Sequence, residues 1–329
     1  MNRRIITRTC KYLTCTLFMA FMAFGANGAL AWTDKPVRMI VPAPPGGTID
    51  TLARIVADEL SAQIGQPVVV DNKPGAGGAI GVKSMLSSPP DGRTILLTAS
   101  NVLTEVPQVL NVGFDPLKDV KPVVALGRGV MVFVGSPGVP AKDVKGVVAW
   151  VKANPGKLSY ASYSSGTASQ YAGAMFSKEA GLDLTHVPFP GSVPALTQVM
   201  GGQVPLMFDG VVTSGPLIAA GKIKVFGVAS KTRWPQLPNV PTLAEQGYPD
   251  IEFRNWTGVV VSAKVSSELT EKIHAAVSKA AATPKVRDRL ISVGFEPMPD
   301  QPTAQLASEL RLEYDRNAKI VKSFDIKAD

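Results

Sequence analysis

Short apolar runs alternate with stretches of helical period along most of the chain. Residues 37–41, 68–71, 94–98, 123–126, 131–135, 158–161, 184–188, 206–209, 224–229 and 258–262 have strand length and apolar, β-branched composition. Residues 49–64, 78–86, 142–154, 168–180, 194–201, 214–220, 266–282, 284–293 and 304–324 read as helices. In 266–282, Leu269, Ile273, Ala276, Val277 and Ala280 form one stripe with charges elsewhere, the pattern of a surface helix docked on a core. Strands that are apolar throughout predict an α/β fold with mainly parallel sheets covered on both faces by helices.

The N-terminus departs from this pattern. Arg3, Arg4, Arg8 and Lys11 precede an apolar run over 13–25, and Ala29-Leu30-Ala31 forms an A-x-A cleavage site, so 1–31 reads as a signal peptide and Trp32 as the mature start. Export to the periplasm is the expected localisation. Both cysteines, Cys10 and Cys15, fall in the leader, which removes disulfides, thiolate metal sites and cysteine nucleophiles from the mature chain. Losing the leader's four basic residues lowers the net charge from +8 to +4, too mild for a nucleic-acid partner. The mature length predicts two domains with ample core. No low-complexity linker separates them, so they must be joined by crossing strands near 125–134 and 252–261. The expected division is 32–130 with 253–329 as a discontinuous first domain, and 131–252 as the second.

The inventory of reactive groups is thin. His186 and His274 are the only histidines, so no metal-ligand spacing is present and neither a metal nor a cofactor is expected. No G-x-S-x-G elbow precedes a helix, and the glycine loop at 44–48 lacks the Lys-Ser/Thr ending of a nucleotide P-loop. The glycine run at 74–81 follows the second strand with the wrong spacing for a dinucleotide site, and reads as a tight turn with close packing at Gly81.

Two strand–loop–helix junctions remain. The first runs from 37–41 through Pro45-Gly46-Gly47-Thr48 into a helix carrying Asp50. The second runs from 158–161 through Ser162, Ser164, Ser165, Gly166 and Thr167 into the helix at Ala168. Each aims unpaired backbone N–H groups and a positive helix end at one spot, an anion site built without cationic side chains. Four hydroxyls at the second junction exceed what one helix cap needs. Asp50 either caps its own helix or meets a ligand. Ser100 and Asn101 follow a strand at its carboxyl end, where open α/β sheets bind ligands. Asp209 ends another strand, either accepting from a ligand or bracing a loop. Arg128, between Gly127 and Gly129, either reaches an interdomain cleft or is a solvated surface cation. Tyr163 and Phe189 are candidates for an apolar wall.

At these residues the chain resembles the Bug family, the periplasmic receptors of tripartite tricarboxylate transporters. The matching stretches are 35–42 with Pro44-Pro45-Gly46-Gly47 and Asp50, 69–78, Pro90-Asp91-Gly92, 156–162, and His186-Val187-Pro188-Phe189 with Gly191 and Pro194-Ala195. Further on come Gly201-Gly202-Gln203-Val204, Ala220-Gly221-Lys222 and 237–242 with Glu245, Gly247 and Tyr248-Pro249. The ordered set spans the whole mature chain. The resemblance implies a two-domain Venus-flytrap receptor, and the expectation drawn here is a binding protein, not an enzyme, working as a monomer. It would hold a small carboxylate, aliphatic or aromatic and often a dicarboxylate, between its domains and deliver it to integral membrane permease subunits. It also implies that the loop at Pro45–Thr48 grips one carboxylate, that Ser162–Thr167 holds the other end, and that Ser100-Asn101 and Asp209 add polar contacts. The family commonly has glycine near Ser164 and often histidine near Gln170; the changed loop with Tyr163 suits a flat or aromatic ligand body. A receptor for a membrane sensor kinase and an exported serine hydrolase are the alternatives.

Overall fold

A computed structural model describes residues 32–253 and 255–327; the leader over 1–31 and its cleavage site lie outside the described residues. The strands are β1 (Val37–Val41), β2 (Val68–Asn72), β3 (Thr94–Ala99), β4 (Val120–Arg128), β5 (Met131–Gly135), β6 (Leu158–Ser162), β7 (Leu184–Pro188), β8 (Leu206–Gly210), β9 (Lys224–Val228), β10 (Trp256–Ser262) and β11 (Glu296–Pro297). The principal helices are α1 (Thr48–Ile64), α2 (Ala79–Leu86), α3 (Val144–Lys152), α4 (Ala168–Glu179), α5 (Ser192–Met200), α6 (Val211–Ala219), α7 (Ser267–Ala282), α8 (Pro284–Ser292) and α9 (Thr303–Phe324). Each strand and helix read from periodicity is present. The pattern missed the two-residue β11 and the single helical turns at Asn101–Thr104, Val106–Val109 and Pro116–Asp119, which are too short to carry a period.

The strands form two sheets, ordered β11-β4-β10-β3-β1-β2 and β7-β6-β8-β5-β9. Both sheets are mixed, which corrects the expectation of mainly parallel pairing. β1 pairs parallel with β2 and β3, and β6 with β7 and β8, but β10 runs antiparallel to β3 and β4, and β5 antiparallel to β8 and β9. The reversed strands lie where the chain passes between sheets: β4 leads through Gly129-Val130 into β5, and the chain returns after β9 into β10. An antiparallel neighbour needs no crossover helix, so a strand arriving from the other sheet pairs without one.

Each sheet is covered on both faces. α1, α7 and α8 bury Leu52, Val56, Ile273, Val277, Val286 and Leu290 on one face of the first sheet, while α2 and α9 bury Val82, Met85, Leu306 and Leu310 on the other. On the second sheet, α3 and α4 pack around Phe133, Tyr171, Phe176 and Phe208, and α5 and α6 around Leu196, Val199 and Val211. Helix α9 spans the two cores. It starts on the first sheet through Leu306 and Leu310 and ends with Ile320, Val321, Phe324 and the buried Ile326 on the second. Among the described residues, no helix is long and apolar enough to cross a membrane.

Candidate ligand-binding site

Five helices begin without a side-chain cap at one place. The N-cap residues of α1, α2, α4, α5 and α6 are Gly47, Gly78, Thr167, Gly191 and Gly210, and none bonds its helix through a side chain. All five line a cavity of about 330 Å³ between the sheets. Elsewhere the helices are capped from within: Asp143, Ser266 and Thr283 bond the first turns of α3, α7 and α8. Among the nine principal helices, the other uncapped start, at Pro302 of α9, is outside the cavity lining. Capping is thus withheld where a ligand can take its place. No charged side chain lines the cavity among the described residues, so an anion there is met by backbone dipoles.

The lining has two poles. At the first, Pro44 and Thr48 of one lobe touch the other: a Cβ on Gly191 would lie 2.8 Å from Pro44 Cγ, and one on Gly210 would lie 3.1 Å from Thr48 Oγ1. The starts of α1, α5 and α6 therefore converge. At the second pole the starts of α2 and α4 meet, since a Cβ on Gly77 would lie 3.4 Å from the Ser165 carbonyl oxygen. Asn101 and Asn255 line the cavity there, and Val130, Met131, Tyr163, Phe253 and Phe295 supply apolar wall between. Phe189 is absent from the wall and packs instead in the core under α5.

The two sequence-recognised junctions share a device. Gly46 has φ +79° and donates its N–H to Asp50 Oδ2 at 2.9 Å; Gly166 has φ +74° and donates to Gln170 Oε1 at 2.6 Å. Positive φ is what glycine adopts without strain. In each case a side chain four residues on holds the loop so that the next residue becomes an N-cap facing the cavity.

The candidate residues therefore separate. Gly47, Thr48, Asn101, Ser164 and Thr167 line the cavity. Pro45 and Gly46 are exposed outside it, and Ser165 and the buried Gly166 are turned from it. Asp50 is buried beneath the first loop, bonded to Gly46, to Arg54 at 2.9 and 3.0 Å, and to Asn72 at 3.0 Å. Burial raises its carboxyl, but these donors outweigh it and hold the group below the usual range. Asp50 braces the loop and does not face the cavity. Ser100 is fully buried and donates its N–H to the Trp256 carbonyl. Arg128 turns away to Glu309 at 3.6 Å. Asp209 is buried behind the first pole, where it accepts from Thr213 at 2.5 Å and Ser214 at 2.7 Å; burial raises its carboxyl pKa against these bonds and one from Ser192.

Ser162 is buried and its Oγ lies 2.6 Å from His186 Nε2. The surrounding bonds fix the proton. Ser162 donates to the Ser164 carbonyl at 3.1 Å, so His186 Nε2–H donates to Ser162, and Nδ1 accepts from Gln170 Nε2 at 3.3 Å. A general base needs the opposite tautomer toward its serine, so this pair holds the second loop in shape. The sequence did not single out the 75–78 loop, Pro190–Ser192, Asn255, Thr257, Phe253 or Phe295 as site residues. The signals that pointed there were the glycine run, read as a packing turn, and Gly191, whose φ of +126° admits little else.

A sequence profile described as tripartite tricarboxylate transporter family receptor matches residues 52–326. The Bordetella pertussis protein BugT is 30% identical over 301 residues, covering 90% of this chain and 92% of that one. The structure of R. palustris Rpa4515 with adipate superposes with a TM-score of 0.86 at 28% identity, covering 91% of this chain and 100% of that one. MatC from Rhodopseudomonas palustris with bound malate gives 0.82 at 30% identity, covering 88% and 99%.

Proposed function

The chain belongs to the tripartite tricarboxylate transporter family of receptors, and on that premise we propose that it captures a small carboxylate in the interlobe cavity and delivers it to integral membrane permease subunits. The convergence of five uncapped helix starts on one cavity carries this reading. Hydrogen bonds from such amides to a charged acceptor contribute about 1.5–3 kcal/mol each. Adipate and malate in the two Rhodopseudomonas structures support the same ligand chemistry.

We further propose that the protein works outside the cytoplasm as a monomer after cleavage following Ala31, and that 32–130 with 253–329 moves against 131–252. In this division α9 belongs to the first lobe, while its last turns pack on the core of the second. Closure then follows from contact with both lobes: a ligand bridging Thr48 and Gly47 to Ser164, Thr167 and Ser192 stabilises the closed arrangement because the open one offers only half of those contacts. The function is binding rather than catalysis, in keeping with the donor role of His186.

The test is a thermal-shift and calorimetric screen of residues 32–329 with succinate, adipate, malate, citrate, benzoate and terephthalate. At least one carboxylate should raise Tm by several degrees, and Thr48→Ala should weaken it without lowering the ligand-free Tm appreciably. Silence across all of these acids sinks the reading.

A further inference from the structure

The two poles of the cavity are not chemically alike. At the second, Asn255 Nδ2 donates to Glu105 Oε1 at 2.9 Å, and the Asn101 amide is drawn to the same carboxyl. Both asparagines line the cavity, while Glu105 behind them is fully buried, and its Oε2 has no hydrogen-bond partner among the described residues. An amide that turns its nitrogen toward a buried acid leaves its carbonyl oxygen for whatever else it meets.

The neighbouring charges act in the same sense. From α9, Glu313 adds a second carboxyl facing Glu105, with Arg316 as the opposing cation; Arg128 and Glu309 pair beside Glu313. From the second lobe, the Tyr171 hydroxyl donates to the Glu105 carbonyl, and the Tyr163 phenol is held protonated chiefly by burial, with the acids Glu105 and Asp209 opposing its ionisation further wherever they are themselves ionised. Two amides of this pole are taken, Gly78 N–H by the Gly75 carbonyl at 2.9 Å and Gly166 N–H by Gln170, which leaves the first-turn amides of α2 and α4 as its backbone donors. Glu105 already keeps its proton, so a carboxylate here would add a like charge beside Glu313 and force a proton onto that group as well.

We propose that the Asn101–Glu105–Asn255 pole selects a hydrogen-bond donor rather than a second carboxylate, so that the preferred ligand is a monocarboxylate whose far end carries a hydroxyl or amide. The carboxylate lies at the Thr48, Gly191 and Gly210 pole, and the apolar body runs past Tyr163, Phe253 and Phe295. Glu105 is a positioning residue, acting through the asparagine amides. This rests on the carboxylate-receptor reading and narrows it.

Matched probe pairs test it: 6-hydroxyhexanoate against adipate, and 4-hydroxybenzoate against terephthalate, titrated calorimetrically at pH 7.5. The hydroxyl member of at least one pair should bind tenfold or more tightly than its dicarboxylate. In Glu105→Gln the asparagine amides are free to turn their nitrogens inward, and the ratio should fall to within threefold. A merely structural role for Glu105 would weaken both members alike. Tighter binding of the dicarboxylate in both pairs, or an unchanged ratio in the variant, overturns the proposal while leaving the carboxylate receptor intact. Failure of every acid to bind overturns both.

Discussion

The Thr48 hydroxyl lies 3.3 Å from the Thr213 hydroxyl, joining the first turn of α1 in one lobe to the first turn of α6 in the other. Thr213 spends its proton on Asp209 Oδ2 at 2.5 Å, so Thr48 is the donor across the gap. Asp209 thus orients a lobe-to-lobe contact without touching the cavity. Thr213→Val removes the acceptor while leaving the cavity lining unaltered. Losing one such bond costs about 1 kcal/mol, so ligand affinity should fall roughly fivefold; the ligand-free Tm falls as well, because buried Asp209 loses Thr213 as a donor and keeps Ser214. Unchanged affinity by calorimetry would show that Thr213 plays no part in closure.

Closure also depends on close approach at Gly191. Its φ of +126° strains any other residue, and an added Cβ would sit 2.8 Å from Pro44 Cγ in the opposite lobe. Gly181 provides the control, because its φ is +61° and a Cβ there meets nothing within 4 Å. Gly181→Ala should cost about 1 kcal/mol of stability through backbone strain alone and leave ligand affinity unchanged. Gly191→Ala should also lower affinity by at least tenfold and shift small-angle scattering of the ligand-mixed protein toward the open form. Equal effects of the two substitutions on affinity would refute the contact's role.

Much of this arrangement is legible in the residues, and what is not has physical causes. Apolar runs of strand length fix the strands from β1 to β10, but a run such as 131–135 is equally apolar whichever way it pairs, so the antiparallel entry of β5 and β10 is not encoded in periodicity. The starts of α1 and α4 show themselves through crowded glycine and hydroxyl residues. Those of α2, α5 and α6 are capped by bare glycines, which look the same as packing turns until Pro44, Thr48 and Ser165 are seen against them. Asp50 and Gln170 sit four residues past a loop glycine, a spacing visible in the sequence, yet only the structure shows them holding those glycines' N–H groups. Asn255 and Glu105, 150 residues apart, meet only in three dimensions.

Asp50 gives a stability prediction distinct from binding. Its carboxylate takes the Gly46 N–H, Arg54 and Asn72, so Asp50→Ala strands three donors and should destabilise the fold by about 1–3 kcal/mol. Because the folded pKa lies below the unfolded value of 3.8, the contribution is complete above that value and is lost as pH falls through the folded pKa. Acid unfolding followed by circular dichroism should begin at higher pH in Asp50→Asn than in the parent chain. Coincident acid transitions would mean that the network adds nothing to the loop.

Glu105 carries the opposite sign. Burial, reinforced by Glu313 and opposed by Asn255, pushes its carboxyl from 4.5 to about 8, and burial pushes Glu313 to about 7. A carboxyl raised on folding keeps its proton in the native state while the unfolded chain loses it. Stability from this group is therefore full below pH 4.5 and declines as pH rises through about 8. The ligand-free Tm should fall between pH 5 and 9, the fall being smaller in Glu105→Gln, which has no proton to lose, and smaller still in the double variant with Glu313→Gln. Since a one-unit shift corresponds to about 1.4 kcal/mol, the slope is measurable by calorimetry even if part of it is relieved by water. A parent Tm that is flat or rises over that interval would contradict the buried-acid assignment.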